Sequence, residues 1–173
     1  MPPEKVVIFE DELLLANDLK RQISPYNYEV TAIFKRAEEG LQYLADIQNK
    51  EDLPGIILMD IALAGKMNGI EAAEVISQNY DIALVFLTGM SQVEIFERAF
   101  QAKPCAFLIK PFDIKQALIS IKLAGYLKSL ENKVLKNQEE NEGRIVKRIG
   151  ETDKKKSLAE TNSNIILKDE SIC

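Results

Sequence analysis

Short apolar segments alternate with amphipathic segments over the first two-thirds of the chain, and this alternation limits the fold more than any other feature. The apolar segments are Lys5–Phe9, Glu29–Phe34, Ile56–Met59, Ile82–Leu87 and Cys105–Ile109. They are short and mostly apolar, as are strands that are buried on both faces of a parallel sheet. The segments between them predict helices, at roughly Glu12–Ile23, Ala37–Gln48, Gly69–Asn79, Ser91–Gln101 and from about Asp113 onward. Ser91 and Asp113 stand where helix N-caps belong.

Five strands alternating with five helices predict an α/β fold, in which a parallel sheet carries helices on both faces. Right-handed crossover connections leave few ways to wind such a sheet. In open sheets of this kind the functional crevice lies at the carboxyl ends of the strands, beside the point where the strand order reverses. Functional residues are therefore expected at the strand ends.

The composition excludes several classes of protein. The chain contains no histidine, which rules out Ser-His-Asp hydrolysis, Cys-His proteolysis and His-ligated zinc. A net charge of -5 argues against direct nucleic-acid binding. The two cysteines form no disulfide framework. The sequence has neither a signal peptide nor an apolar run of bilayer length, so we expect a cytoplasmic protein with no membrane contact.

Polar residues of complementary chemistry follow four of the five predicted strands. Glu10 and Asp11 follow the first strand, Asp60 the third, Thr88 the fourth and Lys110 the fifth. Three converging carboxylates repel each other unless a cation neutralises them, and Mg²⁺ suits a site with a few carboxylates and room for water. With a hydroxyl and an ammonium group added, this set predicts a site for a phosphoryl group bonded to a carboxylate.

Each of these residues also has a simpler explanation when taken alone. An acidic pair is usually surface charge, Asp60 could cap a turn, and Thr88 could be an ordinary hydroxyl at a strand end. Lys110 precedes Pro111, and this pairing suggests a constrained peptide bond, with cis as the candidate geometry, that aims the lysine inward. Gly65-Lys66 lacks the upstream glycine that a phosphate-binding loop requires.

Four segments in order carry a resemblance to a known family: VVIFEDE, IILMDIALAGKMNGIEAAE, LVFLTG and AFLIKPF. Over about residues 4–128 the chain resembles the receiver domain of bacterial two-component response regulators, including the chemotaxis regulators. The resemblance implies a doubly wound (βα)5 flavodoxin-like parallel sheet with strand order 2-1-3-4-5. It also implies a phosphoacceptor switch that catalyses only its own phosphorylation and dephosphorylation.

The resemblance assigns a role to each site residue. It implies that Asp60 is the phosphoacceptor, and that Thr88 and Lys110 are catalytic ligands of the phosphoryl oxygens. Thr88 and Phe107 are the implied switch residues. The implied Mg²⁺ ligands are Glu10, Asp11, Asp60 and the backbone carbonyl of Ala62.

The implied partner is a sensor histidine kinase or a phosphotransfer protein, because this chain has no histidine to carry phosphate itself. The resemblance also suggests a homodimer that forms on phosphorylation. Its face would combine the fourth helix, fifth strand and fifth helix, where Phe96, Phe100 and Ile114 are apolar.

The chain departs from the family pattern at several positions. Glu10 replaces the commoner Asp, Ala64 replaces a common Pro, and Pro104 precedes the fifth strand; the change at Ala64 predicts a more mobile loop. Ala62 and Met90 flank the expected phosphoryl site, and neither side chain can hold an attacking water, so we expect a long-lived phosphoryl group.

The sequence divides into a receiver domain, 1–130, and a segment, 131–173, that is a helix extension, a polar linker or the start of an output domain. Residues 136–163 are mainly polar, as in a linker. Residues 164–173, NIILKDESIC, resemble the opening strand of a LytTR-type DNA-binding domain.

Two alternatives remain open. A degenerate receiver would keep the fold but act only as a phosphorylation-independent interaction module, and the complete site set argues against it. A flavin-binding domain of similar topology would need a phosphate-binding loop after the first strand, where this chain has EDELLL.

Overall fold

The fold is described from a computed structural model over residues 2–89 and 93–169. Its five strands are β1 (Glu4–Phe9), β2 (Tyr28–Phe34), β3 (Ile56–Asp60), β4 (Ala83–Thr88) and β5 (Ala106–Ile109). Its helices are α1 (Leu13–Ile23), α2 (Ala37–Asp46), α3 (Gly69–Asn79), α4 (Val93–Phe100) and α5 (Ile114–Asp169). Short 3₁₀ turns occupy Ser24–Tyr26 and Lys50–Asp52. The positions predicted from sequence agree within a residue or two, apart from the far end of α5.

The strands form one parallel sheet in the order β2-β1-β3-β4-β5. This confirms the doubly wound flavodoxin-like arrangement. Strand order reverses beside β1, so β1 and β3 are neighbours although β2 separates them in sequence.

The sheet is buried on both faces because successive strand residues point in opposite directions. In β1, Val7 and Phe9 face a cluster built with α2, α3 and α4, while Val6 and Ile8 face a cluster built with α1 and α5. All four side chains have no exposed surface. Burial on both sides is the reason why the strands lack the apolar-polar alternation of a sheet with one wet face.

Two helices begin with reciprocal caps that fix where the preceding loops end. Asn68 accepts hydrogen bonds from the amides of Ile70 and Glu71, and the Glu71 carboxylate accepts from the Asn68 amide. Asp113 makes the same exchange with Gln116 at the start of α5, which confirms the predicted N-cap. The other predicted N-cap, Ser91, lies outside the described residues.

The chain divides into two compact units, Met1–Ser129 and Leu130–Cys173. The first contains the whole sheet and α1 to α4. In the second, the described residues are helical as far as Asp169. The described part of this segment is thus a helix extension, which is one of the three alternatives for residues 131–173, and it contains no strand between Asn164 and Asp169.

The composition explains why this segment is helical. Residues 131–163 are rich in Lys and Glu and contain no proline. These residues favour a solvated helix as much as a linker. None of the described helices is long and apolar enough to cross a membrane.

Candidate functional site

The sheet brings the predicted polar residues to one edge. Phe9 at the end of β1 pairs with Met59, Asp60 pairs with Leu87, and Thr88 pairs with Ile109. Because these parallel strands end at the same level, the residues that follow them meet. Glu10, Asp60 and Lys110, which are far apart in sequence, are in direct contact there.

Lys110 lies between two carboxylates. Its Nζ is 2.6 Å from Oε2 of Glu10 and 2.7 Å from Oδ2 of Asp60. The remaining carboxylate oxygens accept backbone hydrogen bonds, Oε1 of Glu10 from the Glu12 amide at 3.2 Å and Oδ1 of Asp60 from the Ala62 amide at 3.0 Å. Each carboxylate is therefore fixed by both a cation and the main chain.

Burial affects the pKa values of Glu10 and Lys110. Glu10 is 1% exposed and Asp60 5% exposed, whereas Asp11 is exposed. Burial raises the pKa of Glu10 above its usual range, and the nearby Asp60 charge adds to that rise, although Lys110 partly offsets both. Burial also acts to lower the pKa of Lys110, but its hydrogen bonds to Asp60 and Glu10 outweigh that effect and raise this pKa. The lysine therefore stays charged between its two partners.

The acidic residues form a group suited to a cation. Glu10, Asp11 and Asp60 each offer one carboxylate oxygen, and these atoms all lie within 4.8 Å of one another. Three carboxylates exceed the single charge that Lys110 supplies. A hard divalent cation with oxygen ligands fits both this charge and this donor chemistry.

Thr88 is the buried polar residue at the end of β4. Its backbone carbonyl accepts a hydrogen bond from the Lys110 amide at 2.7 Å, so β4 and β5 are tied together beside the site. The Lys110–Pro111 peptide bond is cis, as its sequence suggests.

The loop after Asp60 is held more firmly than the sequence predicts. Ala64 forms a parallel backbone bridge with Arg36, and the Glu38 carboxylate accepts hydrogen bonds from the amides of Lys66 and Met67. The loop that Ala64 was expected to leave mobile is therefore attached to the start of α2. Sequence reasoning missed Glu38, because a glutamate in the first turn of a helix usually needs no partner outside that helix.

Phe107 lies in an aromatic cluster next to the site. Its ring stacks on Phe86 at 5.5 Å between centroids and meets Phe96 and Phe100 of α4 edge-on at 5.1 and 5.2 Å. Phe100 is 62% exposed. Ile114, which was grouped with these residues as part of a surface, instead packs partly buried against the core on the α1 and α5 side.

With this geometry in place, comparison with known proteins identifies the class. The family model described as "response regulator receiver domain" matches residues 6–122. The chain belongs to this family, whose members act in two-component signalling, generally use Mg²⁺ and typically interact with histidine kinases.

Curated relatives are regulatory proteins of greater length. The transcriptional regulatory protein PdtaR of Mycobacterium tuberculosis is 33% identical over 122 residues, which cover 70% of this chain and 57% of that protein. The heme response regulator HssR of Staphylococcus saprophyticus is 26% identical over 130 residues, covering 74% of this chain and 55% of that protein. The chain thus spans little more than half the length of these relatives.

Solved structures agree on the fold. The signal receiver domain of a modulated diguanylate cyclase from Desulfovibrio desulfuricans G20 has a TM-score of 0.67 and 32% identity, and the match covers 75% of this chain and 98% of that one. A CheY-like receiver domain from Methanospirillum hungatei JF-1 has a TM-score of 0.65 and 22% identity, with coverage of 75% and 98%. The second likeness concerns the fold alone.

Proposed function

We propose that this receiver domain accepts a phosphoryl group on Asp60 in a Mg²⁺-dependent reaction and works as a signalling switch. The observation that carries the proposal is Lys110, which joins Glu10 and Asp60 through contacts of 2.6 and 2.7 Å within a group of three carboxylates. A degenerate receiver has no need to keep two buried acids around one lysine.

The reaction transfers a phosphoryl group from nitrogen or oxygen to a carboxylate. An Asp60 oxygen attacks phosphorus, the bond from phosphorus to the donor atom breaks, and the leaving group keeps that electron pair. A histidine leaving group takes up a proton. The donor histidine must belong to a partner, because this chain contains none. A sensor histidine kinase or a phosphotransfer protein meets that requirement.

The residues of this chain supply position and charge. In phosphoryl transfer the transition state is loose, and negative charge collects on the equatorial oxygens. Lys110 already lies 2.7 Å from Asp60, so it is placed to stabilise that charge, and the Thr88 hydroxyl is a second donor. Glu10, Asp11, Asp60 and the carbonyl of Ala62 would hold Mg²⁺, which neutralises charge on the phosphoryl oxygens when bound.

The same residues connect phosphorylation to a surface. When Thr88 turns toward a phosphoryl group it leaves space beside β4, and Phe107 on the neighbouring strand is the aromatic residue placed to fill it. That movement would break the edge-on contacts of Phe107 with Phe96 and Phe100. Aromatic pairs of this kind contribute about 0.5–1.5 kcal/mol each. The free-energy difference between the present position of Phe107 and its shifted position would therefore be small enough for phosphorylation to overcome.

The test is phosphorylation by a small acyl phosphate in the presence of Mg²⁺, followed by intact-mass measurement. We expect the mass to rise by one phosphoryl group, and Asp60→Asn or removal of Mg²⁺ with a chelator to prevent the rise. Asp46→Asn, at an exposed aspartate on α2, is the matched control and should behave like the native protein. A protein that folds normally but gains no phosphoryl group from either an acyl phosphate or a histidine kinase would instead be a phosphorylation-independent module.

A further inference from the structure

Glu38 makes contacts that the site described above does not use. It is the second residue of α2, and its side chain reaches the loop between β3 and α3. Oε1 accepts hydrogen bonds from the amides of Lys66 and Met67, at 2.9 and 3.2 Å. One carboxylate oxygen therefore fixes two consecutive peptide units of that loop.

The two residues before these amides also lie against the start of α2. Ala64 bridges to Arg36, two residues before Glu38. Gly65 has φ +123°, and a Cβ atom there would lie 2.8 Å from Oε2 of Glu38. The carboxylate can lie against the loop only because Gly65 has no side chain. Oε2 is buried, and no described group donates a hydrogen bond to it.

The loop that Glu38 fixes leads directly from the acceptor residue. Asp60 ends β3, and its Oδ1 accepts a hydrogen bond from the Ala62 amide at 3.0 Å. At the far end, the Gly69 amide donates to the Ile61 carbonyl at 3.0 Å. Residues 64–67, in the middle, are attached instead to the start of α2. Glu38 thus ties the backbone of this loop's centre to the rest of the domain, beside the Met67 side chain, which packs partly buried against the core.

The Glu38 carboxylate is charged when it makes these bonds. Hydrogen bonds from its own backbone amide and from the Lys66 amide hold its pKa below the usual range. Hydrogen bonds to an ionised acceptor are roughly twice as strong as neutral ones. A glutamine at this position would accept more weakly, and its amide group would meet a buried space with no acceptor.

We propose that Glu38 is a positioning residue for the phosphorylation site: by fixing residues 64–67 it pre-orders the loop that contains Ala62, and so sets the affinity of the site for Mg²⁺. This rests on the proposed function. A cation that needs a backbone carbonyl from a loosened loop must order that loop when it binds, and the lost conformational entropy weakens binding.

The experiment compares Glu38→Gln with the native protein and with Glu39→Gln. Glu39 is the neighbouring exposed residue and lies 4.0 Å from Arg36, so its substitution removes the same charge without touching the loop. The first measurement is hydrogen exchange at the amides of Lys66 and Met67 without Mg²⁺. The second is the rate of phosphorylation by a small acyl phosphate as the Mg²⁺ concentration is raised.

In Glu38→Gln we expect faster exchange at both amides and a roughly fivefold higher Mg²⁺ concentration at half-maximal rate, about the difference between a charge-assisted hydrogen bond and a neutral one. The rate at saturating Mg²⁺ should return close to the native value. General damage to the fold would lower that maximal rate as well. Glu39→Gln should match the native protein in both measurements.

A second variant approaches the contact from the loop. Gly65→Ala places a Cβ against Oε2 and strains the backbone, so it should give the same pattern with Glu38 intact. If Glu38→Gln exchanges faster at both amides but keeps the native Mg²⁺ dependence, the proposal is wrong. If the native protein takes up no phosphoryl group, the proposed function fails instead, while the exchange result still reports on the contact.

Discussion

At the residue scale, the two adjacent acids of the site have different surroundings. Glu10 is buried and hydrogen-bonded to Lys110, whereas Asp11 is exposed. Removing Glu10 would disturb the lysine as well as any cation. Asp11 can be removed with less effect on the rest of the site, so it provides the cleaner probe of metal binding.

We expect Asp11→Ala to abolish measurable Mg²⁺ binding and phosphorylation while leaving the fold intact. The substitution removes one of three carboxylates from the group, and an exposed Asp has little packing to lose. Calorimetric titration with Mg²⁺ tests the loss of binding, and a thermal melt of the same variant tests whether the fold is intact. Unchanged Mg²⁺ affinity in the variant would exclude Asp11 as a ligand.

The lifetime of the phosphoryl group depends on the residues that flank it. Ala62 is exposed, two residues after Asp60, and its methyl group cannot orient a water. Met90, the other flanking residue expected from the sequence, lies outside the described residues. A tenfold change in lifetime needs only about 1.4 kcal/mol.

We therefore expect a slow loss of phosphate from the native protein and a faster loss from Ala62→Asn and from Met90→Glu. The introduced side chains can hydrogen-bond a water opposite the Asp60 oxygen, and this lowers the cost of ordering it. The measurement is the decay of phosphorylated protein after the donor is removed. Decay of the native protein within seconds, or equal rates in all three proteins, would contradict this explanation.

The site residues could be predicted from the sequence because each lies at the end of a strand, and the strands are recognisable from their apolar composition. Parallel strands end at one edge, so Glu10, Asp60 and Lys110 could be placed together without coordinates. Glu38 could not be placed in this way. Its partners are backbone amides 28 and 29 residues further on, and neither the bridge at Ala64 nor the conformation of Gly65 leaves a distinctive pattern in the sequence.

At the element scale, the start of α3 packs directly on the end of β3. A Cβ atom on Gly69 would lie 1.9 Å from the backbone carbonyl oxygen of Asp60. That oxygen belongs to the strand and has little freedom to move. In contrast, a Cβ on Gly125 of α5 would meet only Ile56 Cδ1, at 3.8 Å, which is an ordinary contact.

These two glycines should respond in opposite ways to alanine. Gly69→Ala should destabilise the domain by about 1–3 kcal/mol or more, because either α3 or the end of β3 must shift. Gly125→Ala should stabilise it by about 0.5–1 kcal/mol, since alanine is the better helix former and the space is open. Urea unfolding of both variants tests the pair. A destabilised Gly125→Ala would show that the helix packs more closely there than the structure indicates.

The limits of sequence inference differ between elements. Strands and the first four helices were predicted closely because burial gives each a clear pattern. A helix over the far part of α5 was only one of three alternatives, because exposed helices and linkers share the same polar residues. Lys and Glu are good helix formers, so intrinsic propensity rather than an apolar stripe favours a helix over residues 131–163.

At the scale of the whole molecule, one apolar surface lies next to the proposed switch. Phe100 of α4 is 62% exposed, and its ring contacts that of Phe107. Ile109 of β5 is 59% exposed and follows Phe107 by two residues. We name this pair the α4–β5 surface. Phosphorylation that moves Phe107 would change the support under Phe100, so this surface is where a second copy of the chain could respond to the switch.

We expect the protein to change from monomer to dimer when Asp60 carries a phosphoryl mimic such as beryllium fluoride, measured as molecular mass by light scattering. Phe100→Glu should prevent the change, because a charge on the α4–β5 surface cannot be buried without a partner. It should leave uptake of phosphate from a small acyl phosphate intact. Leu14→Glu is the matched control: Leu14 is 84% exposed on α1, away from this surface, and its substitution should not affect dimerisation. The same mass with and without the mimic, or a dimer that survives Phe100→Glu, would mean that the α4–β5 surface does not couple phosphorylation to self-association.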